Sequence, residues 1–229
     1  MRMADAANSP SAARIAKKTV FVVDDHPLLR QGLALLINRE PDLTVCGEAA
    51  NTQDAIKAIA AKRPDILIVD ISLNGPDGLD LLKALRSSYP DLPVLILSMH
   101  DETIYAERAL RARANGYIMK QEATEKVLVA VHRILGGDIY LSERMSNKLL
   151  HQYFSGASVD TNSRLSDREL EVFRFIGEGC STRHIAEKLH LSIKTVETYQ
   201  AHIKDKLSLR SGRELVQYAI QSKIGDKTT

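Results

Sequence analysis

Short aliphatic runs alternate with amphipathic stretches over the first 137 positions. Val20-Phe21-Val22-Val23, Leu43 to Glu48, Ile66 to Asp70, Pro93 to Ser98 and Gly116 to Lys120 read as strands. The central runs show no polar alternation, which suits strands buried on both faces of a parallel sheet. Between them, apolar positions recur at helical spacing. Pro27 opens a helix through Leu28, Leu29, Gly32, Leu33, Leu36 and Ile37. Asn51 and Asp54 have capping-box spacing ahead of Ala55, Ile56, Ile59 and Ala60. Further helices are expected over 79–88, 103–114 and 125–135. Five alternating strand–helix units predict a doubly wound parallel sheet with right-handed crossovers.

Gly136-Gly137 closes this pattern. Ser142 to Phe154 reads as a linking helix, and the Ser/Gly-rich stretch up to Ser163 as a loose connection. From Arg164 onward the period is helical only. Ser166 with Glu169, and Ser211 with Glu214, mark two helix starts. Helices near 182–190 and 194–207 lie between them, joined by Leu191-Ser192-Ile193. Such a four-helix unit can carry a helix-turn-helix. The expected organisation is a disordered Ala/Ser-rich tail over 1–17, an α/β domain over 18–137, a linker over 138–163 and an all-α domain over 164–229.

Composition narrows the class. No run of about 18 apolar residues is present, so no membrane-spanning helix is expected. Cys46 and Cys180 fall in different domains without zinc-site spacing, which fits a reduced cytoplasm. The net charge of +2 hides an asymmetry. Residues 19–137 hold 13 Lys/Arg against 16 Asp/Glu, whereas residues 164–229 hold 12 against 9. The basic C-terminal part is compatible with nucleic acid.

The candidate chemistry sits at strand ends. In an open parallel sheet, ligands bind outside the carboxyl ends of the strands. Asp24, Asp25 and Asp70 should converge there, with Ser98 and Lys120 beside them. Three carboxylates in one crevice repel unless neutralised, and a hard cation such as Mg²⁺ is the natural counter-charge. Lys120 would supply a point charge and Ser98 a hydroxyl to a phosphoryl group. Phosphoryl transfer to a carboxylate needs this kind of positioning and neutralisation. Any one of these residues alone would more often be a solvated strand end; all five at the same end of successive strands are not.

Residues 19–137 therefore resemble the receiver domain of two-component response regulators, with a flavodoxin-like sheet in order 2-1-3-4-5. The matching elements are Val-Val-Asp-Asp-His from Val22, Asp70 with Gly78 beyond it, Leu-Ser-Met-His around Ser98, and Gly-Tyr-Ile-Met-Lys ending at Lys120. The resemblance implies that Asp70 accepts a phosphoryl group from a histidine kinase. It also implies that Asp25, Asp70 and the Ser72 carbonyl ligate Mg²⁺, with Asp24 acting partly through water. Ser98 and Tyr117 would form the switch. Pro76, Gln121 and Ser98 depart from the commoner pattern of a proline nearer the phosphoacceptor, a proline after the lysine, and a threonine.

Residues 164–225 resemble the LuxR-type helix-turn-helix, on Leu-Ser-Asp-Arg-Glu-Leu-Glu-Val from Leu165, Gly179 to Thr182, Ile185-Ala186, and Lys194 to Tyr199. The two resemblances together imply the NarL/FixJ subfamily: a DNA-binding transcriptional regulator acting as a homodimer on paired half-sites. Its only chemistry would be its own phosphorylation and dephosphorylation.

Helical spacing turns Val196, Ile203 and Leu207 inward, leaving Lys194, Glu197, Thr198, Ala201 and Lys204 toward a major groove. Thr182, Arg183, Thr195 and Lys206 are candidate phosphate contacts. Glu197 could accept from a cytosine amino group or pair with Lys194 or another neighbour. Leu215, Val216, Ala219 and Ile220 offer an apolar face to be shared between the core and a second copy. Two rivals are weighed. An aspartyl-phosphate phosphatase or mutase needs a second acid where Ser72 stands. A regulator gated by a small ligand or protein contact would have no use for the full acid set.

Overall fold

The computed structural model describes residues 16–73, 78–99, 102–155, 165–189 and 191–225. The N-terminal tail up to position 15, the 74–77 loop with Pro76, His100 and the 156–164 connection lie outside them. The chain divides into two compact units, Met1–Phe154 and Ser155–Thr229.

The first unit holds strands β1 (Lys18–Val23), β2 (Leu43–Ala49), β3 (Ile66–Asp70), β4 (Val94–Ser98) and β5 (Gly116–Met119). Helices α1 (Pro27–Asn38), α2 (Thr52–Lys62), α3 (Gly78–Arg86), α4 (Glu102–Arg111) and α5 (Ala123–Leu135) follow them in turn. The strands pair in parallel in the order β2-β1-β3-β4-β5, as the alternating pattern predicts. Every residue of β3 and β4 is buried. Successive side chains point to opposite faces. Val20, Val22, Ile66, Ile68, Leu95 and Leu97 pack with Leu33 and Ile37 of α1 and with Val127, Val131 and Ile134 of α5. Each such side chain contributes about 1.5–3 kcal/mol on burial.

Local chemistry sets the ends of the helices. Pro27 starts α1 without a side-chain cap, while the Asn51 side chain accepts from the Asp54 N–H at the start of α2. Arg63 ends α2 in the left-handed region (φ 46°). The expected linking helix forms as α6 (Glu143–Ser155) and belongs to the first unit, with Met145 fully buried.

The second unit comprises α7 (Asp167–Gly177), α8 (Thr182–Lys188), α9 (Ile193–Leu207) and α10 (Gly212–Gly225). Ser166 and Glu169 form the reciprocal capping box read from their spacing. At α10, Ser211 accepts from the Glu214 N–H, but the Glu214 carboxylate reaches past it to the Arg210 N–H. Leu170, Val172, Phe173, Ile176, Ile185, Val196, Ile203, Leu215 and Ala219 make the core.

Candidate functional site

Three strands of the sheet end on charge. Asp24 follows β1, Asp70 ends β3, and Lys120 opens a 3₁₀ turn (Lys120–Glu122) directly after β5. Because β1 and β3 are adjacent and β4 and β5 complete the same edge, their carboxyl ends face one crevice. The Lys120 ammonium lies 2.7 Å from Asp24 Oδ2 and 2.7 Å from Asp70 Oδ2. All three side chains are nearly out of contact with solvent, at 6% or less exposure.

The backbone holds the two carboxylates in place. Asp24 Oδ1 accepts from the His26 N–H at 2.8 Å, an Asx turn that directs the chain into α1. Arg30 Nη1 donates to the Asp24 carbonyl at 2.5 Å. Asp70 Oδ1 accepts from the Ser72 N–H at 3.0 Å. Gly78 leaves no room for a side chain beside Asp70. A Cβ there would sit 2.0 Å from the Asp70 carbonyl oxygen.

Burial pushes the Asp70 carboxyl above its ordinary pKa, against the pull of Lys120 and with the support of Asp24. Burial disfavours the Lys120 ammonium, yet Asp70 and Asp24 outweigh it and raise its pKa. The crevice thus holds a lysine that stays charged and carboxylates that gain from another cation. One ligand atom from each of Asp24, Asp25, His26 and Asp70 lies within 4.8 Å of the others. The three carboxylates form a hard oxygen set fit for a divalent cation with retained water. His26 was not read from the sequence as part of this group. Its Nδ1 lies 2.7 Å from Asp25 Oδ1 and 3.1 Å from Asp24 Oδ1, on the rim of the crevice. The signal was its place two residues after Asp24, where an Asx turn folds the ring back.

Ser98 ends β4 fully buried, and Tyr117 on β5 is 1% exposed, with its ring inside the fold. Ser98 pairs with Met119 across the two strands and Ile96 with Tyr117.

In the second unit α9 separates its residues largely as its period predicts, although Leu207, expected inward, is only half-buried. Val196 and Ile203 are fully buried, whereas Lys194, Glu197, Thr198 and Ala201 are exposed and Lys204 is half-buried. Among the described residues, Lys194, Glu197 and Lys204 have no ion-pair partner, so of the two readings of Glu197 the pairing with Lys194 or another neighbour is not made. Thr198 Oγ1 donates to the Lys194 carbonyl.

Four candidate phosphate contacts already have partners. Thr182 Oγ1 accepts from Gln200, Thr195 Oγ1 shares a hydrogen bond with Ser192, and Arg183 pairs with Glu187. Lys206 donates to the buried Glu169 at 2.6 Å, so it clasps α9 to α7. Burial acts against the Glu169 charge, but Lys206 and Ser166 hold its pKa below the ordinary value. On α10, Leu215 and Ala219 are 3% exposed, while Val216 and Ile220 stand 42% and 41% exposed. The apolar face is therefore divided between the core and the surface.

Residues 20–132 match the model of the response regulator receiver domain, and residues 163–219 that of the bacterial regulatory proteins of the luxR family. The oxygen regulatory protein NreC of Staphylococcus carnosus is 36% identical over 214 residues, covering 90% of this chain and 99% of the relative. The chain belongs to the NarL/FixJ family of response regulators.

Other members of the family agree. NreC of Staphylococcus aureus is 34% identical over 212 residues, covering 90% of this chain and 98% of its own. Among solved structures, the RcsB response regulator of Salmonella typhimurium matches at 27% identity and a TM-score of 0.55, over 88% of this chain and 97% of that one. A LuxR-family response regulator from Aurantimonas reaches a TM-score of 0.57 at 29% identity, over 61% of this chain and 99% of that one. This NarL/FixJ regulator is thus a two-component response regulator with a DNA-binding LuxR-type domain. No helix among its described residues is long and apolar enough to cross a membrane.

Proposed function

We propose that this regulator switches its DNA binding by phosphorylation at Asp70. The observation that carries the reading is the Asp24–Lys120–Asp70 constellation, two buried carboxylates sharing one ammonium at the mouth of a parallel sheet. An Asp70 oxygen attacks the phosphorus of a kinase phosphohistidine. The P–O bond forms as the P–N bond breaks, and the electron pair returns to the imidazole. Asp24, Asp25, Asp70 and the Ser72 carbonyl would hold Mg²⁺, which neutralises charge on the transferred phosphoryl group. Lys120 balances a phosphoryl oxygen, and the Ser98 hydroxyl donates to another.

Coupling of Ser98 and Tyr117 to the phosphoryl group supplies the switch. Moving a population from 1:99 to 99:1 takes about 5.5 kcal/mol. Two or three charge-assisted hydrogen bonds at roughly 1.5–3 kcal/mol each are sufficient.

The output is major-groove binding by Lys194, Glu197, Thr198, Ala201 and Lys204, with Thr182, Arg183 and Thr195 at phosphates and Lys206 bracing the helix. Val216 and Ile220 join two copies, so that two half-sites about one DNA turn apart are read. A structure of RcsB in complex with DNA, 27% identical with a TM-score of 0.55, supports this output.

Treating the full chain with acetyl phosphate and Mg²⁺ tests the proposal, with mass, oligomer size and DNA retention followed together. Wild type is expected to gain one acyl-phosphate adduct, dimerise and bind DNA more tightly; Asp70→Asn is expected to do none of these. An adduct on Asp70→Asn, or none on wild type, would overturn it.

A further inference from the structure

The linker is paired to the sheet. After α5 the chain returns along β5, and Tyr140 makes a parallel bridge to Gly116. The Tyr140 N–H donates to the Asn115 carbonyl at 2.9 Å, and the Tyr117 N–H donates to the Tyr140 carbonyl at 3.0 Å. Two residues on, the Ser142 hydroxyl donates to Glu102 Oε1 at 2.6 Å, a short charge-assisted bond. Met145 then seats α6 on the first unit with no exposed surface.

These contacts fall on β5, which carries Tyr117, and on α4, which follows the Ser98 strand. Tyr117 itself donates to the linker. Glu102 opens α4, the element that follows Ser98 in the chain. Any shift of Ser98 that moves the start of α4 moves the Glu102 acceptor of Ser142, and any shift of the β5 backbone at Tyr117 moves the N–H that the Tyr140 carbonyl accepts. The linker backbone packs closely on β5. The Tyr140 carbonyl lies where a Cβ on Gly116 would be only 2.9 Å away.

We infer that residues 138–145 form a two-point latch, Tyr117–Tyr140 and Glu102–Ser142, through which the linker senses the phosphorylated pocket. Glu102 and Ser142 are positioning residues that touch neither phosphate nor DNA. The inference rests on the phosphorylation reading above and deepens it by naming the coupling.

The test measures DNA affinity of the full chain before and after acetyl phosphate, alongside adduct formation by mass. Ser142 also caps α6 by accepting from the Met145 N–H at 3.0 Å. Ser142→Ala alone would therefore confuse a latch with a cap. Ser142→Asp keeps a capping acceptor but sets a carboxylate against Glu102. Glu102→Ala removes the acceptor without touching the cap, and Glu102→Gln retains an acceptor oxygen. Ser142→Asp and Glu102→Ala are expected to take up phosphate like wild type while the affinity gain on phosphorylation falls about tenfold or more, the equivalent of one charge-assisted bond. Glu102→Gln is expected to keep most of the gain. Normal phosphate uptake with an unchanged gain in both latch variants would overturn the latch and leave the phosphorylation reading standing. Failure of wild type to take up phosphate would overturn both.

Discussion

The two functional regions of this molecule use charge in opposite ways. In the α/β unit, Asp24, Asp70 and Lys120 are buried, in mutual contact and fixed by backbone donors. In the helical unit, Lys194, Glu197 and Thr198 project into solvent along one side of α9. Chemistry on a phosphoryl group profits from burial, because fixed charges act more strongly where water is excluded. Recognition of DNA profits from exposure, since its charges must meet phosphates and base edges on another molecule. Charges that are buried in the helical unit serve construction. Glu169 carries both the α7 cap and the Lys206 clasp.

The contrast breaks most severely at Gly78. Gly78→Ala would drive a methyl into the Asp70 carbonyl, and a loss of about 3 kcal/mol of stability is expected. Urea denaturation of the full chain, with the transition of the α/β unit shifted and that of the helical unit unchanged, checks this. Glu169→Ala should cost about 1–2 kcal/mol through loss of the cap, now in the helical unit only. The same urea curves give the answer, and an unshifted helical transition would contradict the structural role.

The basic residues of α9 sharpen the comparison further. Lys204→Ala should lower the slope of log Kd against log salt by about one ion, as for a phosphate contact. Lys206→Ala should leave that slope nearly unchanged while destabilising the helical unit, because its charge is already paired with Glu169.

The smallest effect lies at the opposite end of β3 from the pocket. Burial would raise the Asp65 pKa, but bonds from Lys18 and from the Thr19 N–H and hydroxyl bring it down to about 2. A depressed folded pKa means stability that is present above the unfolded value of about 3.9 and lost as pH falls through about 2. The stability of Asp65→Asn should therefore depend less on pH across that window, by acid titration of the thermal midpoint. Part of the Asp65 side chain meets solvent, which keeps the effect modest.

Much of this is legible in the sequence. Uninterrupted aliphatic runs ending on Asp, Ser or Lys marked both the strands and the crevice, because a strand direction and an order of elements fix which ends meet. Helical period alone divided α9 into Val196 and Ile203 inward and Glu197 and Thr198 outward. Capping chemistry, being local, marked Ser166 and Glu169. Periodicity was silent on partners distant in sequence. It left Lys206 as a free cation, whereas Glu169 lies 37 positions away and becomes its neighbour only when α7 packs on α9. It offered four apolar positions on α10 without saying that Leu215 and Ala219 serve the core while Val216 and Ile220 stay outside.

The sequence by itself determined the architecture and which candidate groups meet in the crevice, since both follow from order along the chain and from residue chemistry. Tertiary structure alone decided that Tyr140 and Ser142 lie on β5 and α4, and which charges are already paired. Those contacts join residues separated by 23 to 40 positions, and no local pattern carries information about a partner that only packing brings within hydrogen-bonding distance.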